Sequence, residues 1–425
     1  MTNLTIEDVR ILDPQSGFDD IGNIVIANGQ IKALGDVAAK GETIDGRGLV
    51  AAPGLIDMRV TTGEPGAESR ESIESAALAA AAGGVTTMVV MPDTKPVIDD
   101  VSLINYITNK AEQTLINVHV AGALTQSLDG KTMTEIGLMS EAGAVMFSNG
   151  AEPVSDSLIM RRLLSYSARF NALIANRPID SALAANSCAH ESDFSSRLGL
   201  PGHPPAAERI VIDRDAALAE LTGGRLLIDM ISSEEGLSAV RRAKSRDIEI
   251  ACSVSMNHLA LNEIDIGDYR TFAKLDPPLR EETDRQALIS GVNDGTIDVV
   301  VSAHNPRPAG QKRLPYTEAA SGAVGLELLL SAGLTQVANG ELDLMKFLAC
   351  LTSNPASLLD LPTGRLAEGA PADIVLFDMN MPWVCDSDKL LSKSKNTPFD
   401  ERRMTGRVVM TLCGGRLVFE RLSSS

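Results

Sequence analysis

Five histidines are the first residues here that could bind a metal or move a proton: His119, His190, His203, His258 and His304. Zinc needs imidazole, carboxylate or thiolate donors converging on one point. His258 and His304 would need two more donors beside them, and Asp93 and Asp229 are the obvious acids. The simpler reading makes both histidines hydrogen-bonded loop residues. His119 lies in an apolar run and is expected in the core or at a strand end. His203 lies in a Pro-Gly loop and is expected to be exposed. Cys188 and His190 are two apart, the wrong reach for a nucleophile–base dyad on a helix. The cysteines, Cys188, Cys252, Cys350, Cys385 and Cys413, are odd in number and form no CxxC pair. That argues against a disulfide framework and a thiolate zinc cluster, and suits a reducing cytoplasm. The basic cluster Arg241, Arg242, Lys244 and Arg246 reads as a solvated helix end, the alternative being a contact surface for an acidic partner.

These residues must be positioned by the elements around them. Short β-rich runs alternate with longer helix-like segments through the middle of the chain. The strands fall at 54–60, 86–91, 117–122, 144–148, 172–176, 226–230, 249–254 and 297–302. Several are solid apolar runs, such as Met88-Val89-Val90-Met91, which predicts a parallel sheet buried on both faces. Eight such units predict an α/β fold, a (β/α)8 TIM-type barrel. The spacing predicts a helix over Ser72 to Ala82, ended by Gly83-Gly84. The two ends of the chain differ. Ile24-Val25-Ile26 and Gln30-Ile31-Lys32-Ala33-Leu34 flank Asn28-Gly29, a hairpin signal. The runs at 373–377, 407–410 and 415–418 are also β-like. Segments 1–52 and 364–425 are therefore expected to form one small β domain, a β-sandwich, around a barrel spanning 53–363. The polar stretch 385–403 reads as a surface loop.

Composition narrows the function. Lys and Arg total 38 against 56 Asp and Glu, a net charge of −18. Polyanions would repel such a chain, which excludes a general nucleic-acid binder and an anionic-membrane binder. Aromatics at 3% argue against base-stacking platforms. Met1 to Arg10 carries acids and no apolar core, so it does not read as a signal peptide.

The motifs then converge. Pro53-Gly54-Leu55-Ile56-Asp57, Glu64-Pro65-Gly66, Ala82-Gly83-Gly84-Val85-Thr86-Thr87 and Met91-Pro92-Asp93-Thr94-Lys95-Pro96 are four of them. Gly199-Leu200-Pro201-Gly202, Pro277-Pro278-Leu279-Arg280, Asp294-Gly295-Thr296-Ile297-Asp298 and Asn396-Thr397-Pro398-Phe399 follow. Together they make the chain resemble a dihydroorotase of the amidohydrolase superfamily over nearly its whole length. The resemblance implies reversible closure of carbamoyl aspartate to dihydroorotate. It implies one or two zinc ions at the C-terminal ends of barrel strands, and an aspartate from the last strand that moves the proton.

Residue by residue, this sequence departs from that pattern. Arg59 and Thr61 stand where the family has His-x-His, and Gly63 where it has an arginine for the substrate carboxylate. Asp93 replaces the asparagine of Met-Pro-Asn-Thr, putting an anion where an anionic substrate should bind. Asn149 and Asn176 stand at the fourth- and fifth-strand ligand positions, and Leu227 and Met230 at the sixth. Ala303 replaces the proton-carrying aspartate ahead of His304. Arg280 and His304 match loop positions near the substrate and are expected to line a vestigial pocket, together with Asp93 and Gly63. These departures predict a non-catalytic chain with no cofactor. The resemblance reaches inactive dihydroorotase-like chains that bind aspartate carbamoyltransferase, and implies that enzyme as the partner in a hetero-oligomer. The alternatives are a residual zinc-dependent dihydroorotase and a metabolite-binding chain.

Overall fold

The computed structural model describes residues 3–421. In chain order the first strands are β1 (Leu4–Asp13), β2 (Phe18–Ala27), β3 (Gln30–Gly35), β4 (Glu42–Asp45) and β5 (Val50–Pro53). Next come β6 (Leu55–Val60), β7 (Val85–Val90), β8 (Asn117–Gly122), β9 (Ala144–Ser148) and β10 (Ile174–Asn176). A two-residue pair, β11 (Ala189–His190) and β12 (Gly202–His203), precedes β13 (Leu226–Ile231), β14 (Ile250–Ser255) and β15 (Val299–Val301). The last are β16 (Ile374–Val384), β17 (Arg403–Cys413) and β18 (Arg416–Glu420).

Eight strands form one parallel sheet in the order β15-β14-β13-β10-β9-β8-β7-β6. A bridge between Val60 and His304 brings its edges together, so the expected barrel is present and nearly closed. Alternate strand residues, among them Ile56, Met58, Val89, Met146, Leu227, Val299 and Val301, fill its interior. The other faces pack against the surrounding helices. Both faces are thus buried, which is why these strands read as unbroken apolar runs.

Local signals set the connections. In the helix Ile73–Ala82, Ser72 accepts from the Ser75 N–H, and the two serines form a capping box. Gly84 then turns into β7 at φ +82, a conformation that favours glycine.

The chain's two ends share the second sheet, β18-β17-β16-β5-β1-β2-β3, with β4 on β1. The Asn28-Gly29 hairpin joins β2 and β3 as expected.

The segment 385–403 differs from the expected surface loop. Ser392, Ser394, Asn396 and Thr397 are buried. Asn396 Oδ1 accepts from the Arg307 N–H at 2.9 Å, and its Nδ2 donates to Gly322 O at 2.9 Å. Its polar residues satisfy backbone groups of the loop that follows β15, which would otherwise be buried unpaired.

Candidate active site at the barrel mouth

The C-terminal ends of the barrel strands surround a narrow cavity of about 60 Å³. That is room for roughly four waters. Arg59, Thr61, Met230 and Ala303 bring backbone and side chains from the ends of β6, β13 and β15 to its wall. Strand ends on this face are where such barrels place chemistry. Met230 and Ala303 both hold left-handed backbone, at φ 68 and 51. Such strain, on the order of 1–3 kcal/mol per residue, tends to gather at functional sites.

A buried ion pair crosses the cavity floor. The Arg59 guanidinium donates from Nη1 to Asp229 and from Nη2 to Gly150 O, the latter at 3.1 Å. Beneath it, burial pushes the Asp57 carboxyl up to about 6, against the opposing bonds from Ser302 and the Arg59 N–H.

Four wall residues, Arg177, His258, Asp93 and His304, carry polar atoms without a hydrogen-bond partner. Arg177, one residue past β10, is almost fully buried; its Nη2 lies 2.9 Å from Asp276 Oδ1, yet Nε and Nη2 make no hydrogen bond. His258, in the short helix Met256–Ala260, donates from Nε2 to Pro278 O at 3.2 Å. Its Nδ1 is left as a buried, unpartnered acceptor. Burial pushes its imidazole down to about 4, so it is neutral at pH 7. Asp93 Oδ1 is likewise unpartnered.

His304 lines the cavity as expected and is anchored there by the backbone. Its carbonyl accepts from the Thr61 N–H at 2.8 Å, and its Nδ1 accepts from the Gly325 N–H at 3.2 Å. Nε2 therefore carries the proton and faces Glu71 Oε2 at 3.6 Å. Burial raises the Glu71 carboxyl, but His304, Ser392 and Ser75 outweigh it and hold the group below its usual value.

Several expected site residues lie elsewhere. Arg280 does not line the cavity: its fully buried guanidinium donates to His203 O at 2.6 Å and lies 3.1 Å from His190 Nδ1. The carboxylate of Glu208, 4.0 Å away, balances its charge. His203 is buried rather than exposed, because β11 and β12 fold over this guanidinium. Asn149 accepts from the Leu124 and Thr125 N–H groups, and Asn176 donates to Asp215 at 2.7 Å, so both serve loop structure. Gly63 lines a neighbouring concavity with Arg70, Lys95, Asp93 and Arg307. Asp93 and Arg307 border both spaces and form the wall between them. The basic cluster at 241–246 is satisfied internally, by Asp294, Asp213, Asp298 and Glu220. Arg177 was not legible as a site residue, although its place just beyond a barrel strand is the signal that could have found it.

Comparison with known proteins supplies the family. A dihydro-orotase-like family model matches residues 48–236, and an amidohydrolase family model matches residues 331–419. The dihydroorotase of Geotalea daltonii is 37% identical over 99% of this chain and 100% of its own length. The chain belongs to the dihydroorotase family. The dihydroorotase of Geobacter metallireducens is 38% identical, again over 99% of this chain. Among solved structures, L-hydantoinase from Arthrobacter aurescens superimposes with a TM-score of 0.88 at 23% identity, covering 99% of this chain and 96% of that one. Dihydropyrimidinase from Brevibacillus agri gives 0.84 at 20% identity, covering 98% and 95%. At these identities the two structures speak for the fold.

Membership corrects two expectations. Dihydroorotases aligned along their whole length favour a dihydroorotase-type enzyme over a non-catalytic chain. The expectation of no cofactor falls with it, since the resemblance implies zinc for dihydroorotases. The residues at this mouth do not fit that ion in the expected place. A guanidinium cannot give up its proton to become a ligand, and Arg59 already engages Asp229. Among the described residues no group of three or more His, Cys, Asp or Glu could hold a metal.

Proposed function

We propose that this dihydroorotase-family chain is a dihydroorotase-type enzyme whose mouth cavity takes the carboxylated ureides of that reaction, dihydroorotate and N-carbamoyl aspartate. The observation that supports the binding half is the set of lining atoms that lack a hydrogen-bond partner: Arg177 Nε and Nη2 (the latter beside Asp276), His258 Nδ1, His304 Nε2 and Asp93 Oδ1. A buried guanidinium suits a ligand carboxylate. A neutral imidazole nitrogen and a carboxylate oxygen are acceptors, and suit ureide N–H groups. Asp93 is also the group best placed to hold a proton while the ring opens or closes. The cavity is too narrow for such a ring as it stands, so entry requires the Asp93–Arg307 wall to swing outward and join the neighbouring concavity. The reaction half is supported by the full-length relatives.

The test follows dihydroorotate formation and loss by ultraviolet absorbance, with protein as isolated and after zinc addition, beside calorimetric titration with both compounds. Turnover in either direction, lowered by about tenfold or more in Asp93→Asn, supports the reading. Binding without turnover under both conditions overturns the enzymatic half. Absence of binding overturns the assignment of the cavity.

Association with aspartate carbamoyltransferase is a further proposal, supported by the family resemblance alone. A shared chromatographic peak carrying carbamoyltransferase activity tests it. A cytoplasmic location is proposed on the five free, buried cysteines. No helix among the described residues is long and apolar enough to cross a membrane.

A further inference from the structure

We propose that the concavity beside the mouth cavity is a second ligand site, which takes a small phosphate dianion, free or as a monoester. It has a volume of about 330 Å³, and Arg70, Lys95, Arg307, Asp93, Ser69 and Gln311 lie on its wall. Both arginines are half-buried, and Lys95 is exposed. Neutral groups hold the two guanidinium groups in place. Arg70 donates from Nε to Pro306 O and from Nη2 to Asn305 Oδ1, and Arg307 donates from Nε to Ser321 O at 2.8 Å. Among the described residues, Arg70 Nη1 and both Arg307 Nη atoms make no hydrogen bond. The loop that carries Arg70 is itself tied down. The Gly63 N–H donates to Glu71 O at 2.8 Å, and the Arg70 N–H to Ala67 O at 2.9 Å. Three guanidinium N–H-bearing atoms are thus held at a recess with nothing in the chain to receive them.

Charge selects the ligand. Among the described residues, Arg70, Lys95 and Arg307 have no carboxylate within 4.0 Å, because the acids around them are engaged elsewhere. Asp229 faces Arg59, Glu64 faces Lys110, Asp276 faces Arg177 and Glu71 faces His304. Asp93 is the one carboxylate on the wall, and its Oδ1 makes no hydrogen bond. Three cations against one carboxylate leave two positive charges in the recess. Burial, and after it the charge of Arg307, push the Arg70 guanidinium down to about 10, so it stays charged at pH 7 beside a group that repels it. The basic cluster at 241–246 shows the opposite, each of its four cations being paired within the chain. A phosphate, with a charge of about −1.5 to −2 at pH 7, cancels the excess, and its oxygens suit guanidinium N–H groups. A single carboxylate would cancel half of it. The chain's net charge of −18 repels polyanions and anionic membranes, which leaves a small free molecule. Arg70 and Lys95 line this concavity and not the mouth cavity, so the site does not depend on what the mouth binds.

Calorimetric titration of the full chain tests this, with inorganic phosphate and glycerol 3-phosphate as the probes. Saturable binding at one site per chain is expected, weaker at high salt. The tighter of the two probes tells a free phosphate from an ester. Acetate, a monoanion, should bind at least about tenfold more weakly. Arg70→Gln should weaken phosphate binding by about tenfold or more. Lys95→Gln, a change at an exposed side chain, should weaken it by about threefold or more. Thermal unfolding without ligand checks the fold of each variant, and Lys95→Gln carries the test if Arg70→Gln does not fold. Binding of N-carbamoyl aspartate to Lys95→Gln should stay within about threefold of the wild type. A wild type that binds phosphate but not N-carbamoyl aspartate keeps this site and removes the reading of the mouth cavity. Absence of phosphate binding overturns the proposal, as does equal affinity for acetate or unchanged phosphate binding in the folded variants. Parallel loss of phosphate and N-carbamoyl aspartate in Lys95→Gln also overturns it, since the concavity would then belong to the mouth site.

Discussion

The Arg59 guanidinium lies against the Asp229 carboxylate and ties the end of β6 to the end of β13, across 170 residues of sequence. Their side chains are only 9% and 3% exposed. Both charges are largely withdrawn from water, so each depends on the other.

Removing one partner should therefore cost far more than removing both. Arg59→Met is expected to lower stability by about 3–5 kcal/mol, the penalty for stranding a buried charge. Arg59→Met with Asp229→Leu should recover most of that loss. Denaturant unfolding of the two single variants and the double variant measures the coupling.

Arg177 should matter for ligand binding more than for folding. Its ionic neighbour Asp276 is 47% exposed and can return to water when the arginine is removed. Arg177→Ala is expected to weaken calorimetric binding of N-carbamoyl aspartate by about 1.5–3 kcal/mol, the worth of a hydrogen bond to a charged group. An unchanged affinity would place the ligand elsewhere.

Arg280 should behave in the opposite way. It holds His190, His203 and Ser232 together at full burial, away from the cavity. Arg280→Met leaves Glu208 without that cation and is expected to cost about 3–5 kcal/mol in stability. Ligand affinity of the folded fraction should stay within about threefold of the wild type, below the ~1.4 kcal/mol that a tenfold change represents.

Acid should destabilise the fold through its buried histidines. Burial lowers His258 and His190 to about 4 and His203 to about 3. Each is neutral in the folded chain at a pH where the unfolded chain, with an ordinary value of 6.5, already binds a proton. Stability is then lost as pH falls from about 6.5 toward 4. Asp57 works the other way: raised from 3.8 to about 6, it favours the fold at low pH and loses that contribution as pH rises through 6. Burial lowers His119 as well, and raises Asp215, Glu263, Asp284 and Glu327 like Asp57. Arg47 and Arg285 hold Asp45 and Glu282 down to about 2. The histidines and these paired carboxylates are expected to give a net fall on acidification. Thermal unfolding from pH 7 to 4 measures it, and His258→Gln should flatten the slope.

The barrel was legible in the sequence because its signal is local. Val85–Val90 carries no charge, ends in the apolar run Met88-Val89-Val90 and is buried on both faces, so its strand and its parallel setting can be read without knowing its neighbours. The cap at Ser72 and the turn at Asn28-Gly29 are short-range for the same reason. The departure of Arg59 and Thr61 from the His-x-His that the resemblance implies was also legible, since it needs only residue types. What those changes mean for activity was misjudged, because a departure at individual positions does not cancel relatedness along the full chain.

The sequence by itself determined the strands, their helices, the acidic balance and part of the barrel mouth, Arg59, Thr61, Asp93, Met230, Ala303 and His304 among its residues. Only the tertiary structure decided how their charges are matched. Arg59 meets Asp229, Arg280 meets His190 and His203, and the polar segment 385–403 folds inward onto the mouth loop. Backbone preference and apolar periodicity act over a few residues and are written along the chain. A buried charge must find its counter-charge wherever the packed fold brings one, and that partner can lie 170 residues away.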